Sequence, residues 1–123
     1  MRFFIVEDEP DVAEMYAEAV RFCGHSILGI AYNGVEAVEQ YAGFVEPPDA
    51  VILDHRMPLK SGLEVCREMI AMNPRALIIM ASADESVERE ARALNVASFK
   101  KKPFTIDRLI NNIDKLESRL ARK

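Results

Sequence analysis

Apolar residues fall into two kinds of pattern in this chain, and the two alternate from end to end. Phe3-Phe4-Ile5-Val6, Ala50-Val51-Ile52-Leu53 and Leu77-Ile78-Ile79-Met80-Ala81 are short, uninterrupted runs. Their length and composition suit strands covered on both faces, as in a parallel sheet. Ser26 to Ala31, broken by Gly29, and Val96-Ala97-Ser98-Phe99 are weaker segments of the same kind. Between the runs, apolar residues recur three or four apart, the spacing of a helix with one buried face. Val12, Tyr16, Ala19, Val20 and Cys23 form the first such stripe; Glu9-Pro10-Asp11 opens it and Gly24 stops it. Val35, Val38 and Tyr41 follow the Asn33-Gly34 turn, and Pro47-Pro48-Asp49 is a rigid connector into the third strand. Leu63, Cys66, Met69 and Ile70 follow a loop running from Met57 to Gly62, and this helix ends before Asn73-Pro74. From about Ser86 to Leu94 the helix is mostly charged, with Val87, Ala91 and Leu94 as a thin seam, so it should be the least firmly packed. Thr105 caps a last helix whose stripe, Ile106, Leu109, Ile110, Ile113, Leu116 and Leu120, is the longest in the chain.

Five strands and five helices in strict alternation predict one α/β domain. Right-handed crossovers then favour a doubly wound sheet. The 123 residues can bury a real core, and no repeat, low-complexity tract or linker divides them. Half the residues are hydrophobic and 29% are charged, an ordinary globular balance. No apolar stretch approaches the roughly 20 residues of a membrane span, and the start lacks the features of a signal peptide. No membrane insertion is expected. Net charge is -4 and the pI about 5.2, so the surface as a whole does not favour nucleic acid. Cys23 and Cys66 both fall at apolar helix positions and read as buried, reduced thiols of a cytoplasmic protein.

Chemistry enters where the strands stop. The first run ends in Glu7-Asp8, the third in Asp54, the fourth in Ser82, and the fifth in Lys100-Lys101-Lys102-Pro103. Parallel strands end on one edge, where open α/β sheets bind ligands. Three carboxylates there suit a hard divalent cation, magnesium rather than zinc. Each residue alone is ordinary: a lone acid after a strand is usually solvated or a helix cap, serines commonly cap helices, and lysine runs are commonly solvated. Together they differ, because two unit charges 4 Å apart at an effective dielectric near 20 repel by about 4 kcal/mol. His25 and His55 stand at no metal-ligand spacing; His25 reads as a packing or surface residue and His55 as a loop residue next to the site. No nucleophile elbow, P-loop or dinucleotide-binding glycine motif occurs. A flavin phosphate would be repelled by Glu7, Asp8 and Glu9.

Glu7-Asp8, Asp54 followed by Met57-Pro58 and Gly62, Ser82-Ala83, Phe99 and Lys102-Pro103-Phe104 together resemble the receiver domain of two-component response regulators, with a stand-alone, chemotaxis-regulator-like length. The resemblance covers essentially residues 1–123 as one receiver domain. It implies a flavodoxin-like (βα)5 sheet of strand order 2-1-3-4-5. It implies that Asp54 accepts a phosphoryl group from a phosphohistidine on a sensor histidine kinase or phosphotransfer protein. Mg2+ would be held by Asp8, Asp54 and the main-chain carbonyl of Arg56, with Glu7 acting through water. Lys102 would pair with a phosphoryl oxygen and Ser82 would move to donate to another. Phe99 would then turn inward, altering the surface of helix 4, strand 5 and helix 5 for a downstream protein target. Such a protein promotes its own phosphorylation and dephosphorylation and turns over no metabolite.

The chain departs from the family in places. Serine stands at 82 where threonine is frequent, and Phe99 replaces the common tyrosine. Arg56 and Asp84, two residues past Asp54 and Ser82, occupy variable positions expected to tune phosphoryl lifetime, in one version as an ion pair across the entrance. Two alternatives stay open: an adaptor with this fold that binds partners without phosphorylation, and an aspartate-nucleophile phosphatase. The second normally has an aspartate where Arg56 stands. The terminal Arg119-Leu120-Ala121-Arg122-Lys123 reads either as a linker stub or as a solvated tail.

Overall fold

The computed structural model describes residues 1–121; Arg122 and Lys123, and the Leu120 and Ala121 side chains, lie outside the described residues. In chain order the elements are β1 (Arg2–Val6), α1 (Pro10–Phe22), β2 (Ser26–Ala31), α2 (Gly34–Gly43), β3 (Ala50–Asp54), α3 (Gly62–Met72), β4 (Leu77–Ser82), α4 (Ser86–Ala93), β5 (Ser98–Lys101) and α5 (Ile106–Ala121). The strands pair in the order β2-β1-β3-β4-β5, all parallel, which is the flavodoxin-like arrangement.

Two apolar layers explain the unbroken strand runs. Phe3, Ile5, Ala50, Ile52, Leu77 and Ile79 face α1 and α5. Phe4, Val6, Val51, Leu53, Ile78 and Met80 face α2, α3 and α4. Adjacent residues point to opposite faces of a strand, so a sheet covered on both sides needs apolar residues at every position. Gly29 does not end β2. Phe3 pairs with Ile27 and Phe4 with Gly29, so Leu28 is the extra residue of a bulge and the strand continues.

Helix ends follow local chemistry. α1 closes on Gly24 at φ 84, with Gly24 N–H donating to the Arg21 carbonyl and His25 N–H to that of Val20. That is a Schellman closure, and it needs the left-handed conformation glycine adopts freely. Cys23 therefore lies just past the helix and is half-buried, while Ala13 and Ala17 join Tyr16, Ala19 and Val20 in the buried stripe. Asn33 caps α2, its Oδ1 accepting from Glu36 N–H at 2.8 Å. Ser61 and Glu64 form a capping box on α3, and Thr105 Oγ1 accepts from Arg108 N–H at 3.2 Å.

The fifth strand sits two residues later than its apolar run. It pairs Ser98 with Ile79 through Lys101 with Ser82, and Val96 and Ala97 belong to the approach. An edge strand is half solvated, so its pairing does not require an apolar side chain at each position. Phe99 points into the α4 layer, where it is buried. The resemblance expects the ring to turn inward into the space Ser82 vacates; here it already lies buried. Without a hydroxyl to keep in water, the ring gains by burial.

Candidate phosphoryl-acceptor site

β1 and β3 are neighbours whose following helices leave on opposite faces of the sheet. The crevice between them, at the carboxyl ends of the strands, is where this topology places ligands. Glu7 and Asp8 lie at the end of β1 and Asp54 is the last residue of β3. One carboxylate oxygen from each can be chosen so that all three lie within 4.8 Å of one another. Glu7 and Asp54 are buried; Asp8 is half-buried and lines a groove with His55, Arg56, Met57, Pro58 and Ser61.

Among the described residues, Lys102 is the cation in ion-pair contact with Glu7 and Asp54. Lys102 Nζ stands 2.6 Å from Asp54 Oδ1 and 3.2 Å from Glu7 Oε1. Burial opposes its charge, but the hydrogen bond to Asp54 and the nearby negative groups hold its pKa above the usual lysine value. Burial raises the Asp54 pKa and Lys102 only partly offsets this. Burial and a hydrogen bond with Asp8 push Glu7 up to about 7, against the pull of the Glu9 N–H that donates to its Oε2 at 3.0 Å. Both carboxyls are thus disfavoured as anions. Three close oxygen donors short of positive charge match a hard divalent cation.

The three successive lysines divide by strand alternation. Lys101 pairs with Glu85 ahead of α4, while Lys100 lies on the opposite side, with Arg108 and Lys115 of α5 as its charged neighbours. Lys102, just past β5, alone reaches the acids. Its N–H donates to the Ser82 carbonyl at 2.9 Å, which ties it to β4. Ser82 is buried and its Oγ accepts from Asp84 N–H at 3.0 Å.

The loop after Asp54 is held by close backbone packing. A Cβ on Gly62 would lie 2.4 Å from the Asp54 carbonyl oxygen, and Gly62 N–H donates to the His55 carbonyl at 2.7 Å. His55 Nδ1 faces Leu63 N–H at 3.4 Å, a loop-to-helix contact. Gly34 closes on the same loop from α2; its Cβ would meet the Lys60 carbonyl oxygen at 2.3 Å. His25 lies away from the site, its ring against Phe3 at 5.6 Å. Cys66 is buried in α3, and burial pushes its thiol up to about 11.

Arg56 and Asp84 line one groove but form no ion pair within 4.0 Å among the described residues. Asp84 Oδ1 is turned instead to Ser86, accepting from its N–H at 2.9 Å and its Oγ at 2.6 Å. A local partner two residues on is easier to hold than a long arginine across solvent. By sequence Tyr16 reads only as part of a buried stripe. The structure puts it in the wall beside Lys102, and only the meeting of α1 with the β5–α5 turn could reveal that.

Comparison with known proteins agrees with this geometry. The family model of the response regulator receiver domain matches residues 3–114. Response regulator MprA of Mycobacterium avium (strain 104) is 33% identical over 112 residues, 89% of this chain and 48% of that protein. The chain thus spans about half the length of the curated relatives it matches. Response regulator TrrA of Thermotoga maritima, solved in complex with Mg2+ and a beryllium fluoride, is 32% identical with a TM-score of 0.81, over 94% of this chain and 97% of that one. The response regulatory domain of mrkE from Klebsiella pneumoniae shares the fold with a TM-score of 0.91 at 22% identity, over 100% of both chains. Among the described residues no helix is long and apolar enough to cross a membrane. With residues 3–114 matched by that family model, the chain belongs to the response regulator receiver domain family.

Proposed function

We propose that the chain, read as one receiver domain over residues 1–123, is a phospho-acceptor switch of a two-component system. The observation that carries this reading is Asp54: a buried carboxylate at the end of a central strand, 2.6 Å from Lys102 and grouped with Glu7 and Asp8. The donor is a phosphohistidine on a sensor histidine kinase or phosphotransfer protein. An Asp54 oxygen attacks phosphorus, the phosphorus–nitrogen bond breaks, and the imidazole leaves with the electron pair and takes a proton. Catalysis of such transfers rests on positioning and charge stabilisation. Mg2+ would be held by Asp8, Asp54 and the Arg56 carbonyl, with Glu7 acting through water, and would draw charge from the phosphoryl oxygens. Lys102 exchanges Asp54 Oδ1 for a phosphoryl oxygen, and Ser82 donates its hydroxyl to another. Pulling Ser82 inward releases Asp84 N–H and disturbs the start of α4, whose buried face is only Val87 and Ala91. The α4–β5–α5 surface, with Phe99 packed beneath it, then changes for a downstream protein target.

The test is acetyl phosphate with Mg2+, read by intact mass. One phosphoryl group should be added, labile to hydroxylamine, and Asp54→Asn should abolish it. Labelling of the Asp54→Asn variant equal to the parent overturns the assignment. No labelling of the parent favours a phosphorylation-independent adaptor.

A further inference from the structure

We propose that Tyr16 is a positioning residue for Lys102: its hydroxyl takes the third ammonium hydrogen and holds the lysine aimed at the acceptor site. An ammonium has three donors. Asp54 Oδ1 at 2.6 Å and Glu7 Oε1 at 3.2 Å account for two. A groove of about 430 Å³ is also lined by Lys102, together with Val12, Met15, Tyr16 and Phe104. It is almost wholly apolar, and the Tyr16 hydroxyl is the uncharged polar side-chain group in that lining.

Tyr16 is itself firmly placed. It is 2% exposed, within the buried stripe of α1, and its ring stacks on Phe104 with centroids 6.1 Å apart and planes 13° from parallel. Phe104 follows Lys102 by two residues, so the stack clamps α1 to the turn that carries the lysine. The stack thereby fixes the turn at the base of the flexible four-carbon stem, and the phenol lies in the same groove wall as its tip. The electrostatics agree. Burial raises the Tyr16 pKa to about 12, and the charged groups acting on it are Lys102, Glu7 and Asp54, the members of the site itself.

The consequence appears when Lys102 changes partner. Phosphorylation moves the negative charge from the Asp54 carboxylate to the phosphoryl group, and the ammonium must turn through a small arc to a phosphoryl oxygen. A neutral acceptor behind it stays satisfied throughout and limits that arc, while a second carboxylate there would pull the lysine away. A preorganised charge needs no rearrangement at the moment of reaction. This inference rests on the phospho-acceptor reading of Asp54, and the readouts below separate the two.

The experiment compares parent, Tyr16→Phe, Lys102→Ala and the double variant, using acetyl phosphate with Mg2+ for labelling rate and beryllofluoride for affinity. Tyr16→Phe keeps the ring stack and should leave the melting temperature near the parent's. It should slow labelling and weaken beryllofluoride binding by about tenfold, the scale of one hydrogen bond to a charged group. Adding Tyr16→Phe to Lys102→Ala should change nothing further, because the tyrosine acts through the lysine. Parent-like rates and affinity in Tyr16→Phe, or an equal loss with and without Lys102, overturn the proposal. Tyr16→Leu gives a second reading: it removes the stack as well, so it should lower the melting temperature and exceed the Tyr16→Phe defect. If parent protein takes no phosphoryl group at Asp54, the underlying reading fails first.

Discussion

Glu7 and Lys102 stand 95 residues apart in the chain, yet 3.2 Å separates the carboxylate oxygen of one from the ammonium nitrogen of the other. The same ammonium is nearer still to Asp54, so one lysine serves two buried acids. Neither pair is an isolated salt bridge. Charge on the acids exceeds charge on the lysine, which leaves the site ready to take up positive charge.

That excess makes stability depend on pH. Burial pushes the Glu7 carboxyl up from the usual 4.5 to about 7, and Asp54 is shifted the same way. An acid with a raised folded pKa binds more protons folded than unfolded, so stability falls as pH rises from about 4.5 to 7 and then levels. Glu7→Gln mimics the protonated form. Its melting temperature in chelator should therefore gain on the parent's between pH 5 and 8, and parallel curves would contradict the argument.

Metal and neutralisation should relieve the same strain. Mg2+ should raise the parent's melting temperature by mass action. In chelator, Asp54→Asn should be more stable than the parent, since burial disfavours the Asp54 anion even beside Lys102. A gain of about 1 kcal/mol corresponds to roughly 3–5 °C in a domain of this size. Thermal melts with and without Mg2+ check both statements. A less stable Asp54→Asn would mean that its ion pair with Lys102 outweighs burial.

The loop after Asp54 makes opposite demands at two positions. Gly62→Ala would force a Cβ to 2.4 Å from the Asp54 carbonyl oxygen and 2.6 Å from His55 Cα. Backbone must shift, and the cost should be at least about 1–3 kcal/mol. Leu59 is 74% exposed and sits at φ 75, a left-handed conformation that costs a branched side chain roughly 1–2 kcal/mol. Leu59→Gly should therefore stabilise the protein, less the extra freedom glycine gives the unfolded chain. Urea denaturation of both variants should give changes of opposite sign.

Arg56 and Asp84 should act separately. Asp84 organises the turn into α4 through Ser86, and those hydrogen bonds hold its carboxyl below the usual range. Asp84→Ala should lower the melting temperature, and the deficit should shrink as pH falls through the Asp84 pKa. Arg56→Ala should leave stability nearly unchanged, because no ion pair is lost. Their effects on phosphoryl decay should add in the double variant; strong non-additivity would mean the two residues meet across the entrance after all.

Much of this was legible along the chain because its causes are local or periodic. Unbroken apolar runs reported strands covered on both faces, helical stripes reported buried faces, and Gly24 and Asn33 marked helix ends through their own backbone preferences. The acids could be assigned to one rim because parallel strands end together. Other features depended on neighbours remote in sequence. The fifth strand began at Ser98, since an edge strand is defined by pairing with β4 and needs no apolar run. Ser61-Gly62-Leu63-Glu64 carried a readable capping signal, whereas the need for Gly34 came only from the Lys60 backbone lying against it. Phe99 was already buried, Asp84 chose Ser86 over Arg56, and Tyr16 stood beside Lys102, each decided by which elements met in space. Sequence determines a residue's chemistry and the face it occupies; which groups come within hydrogen-bonding distance depends on packing between elements, because that reach is a few ångströms and the chain separations are tens of residues.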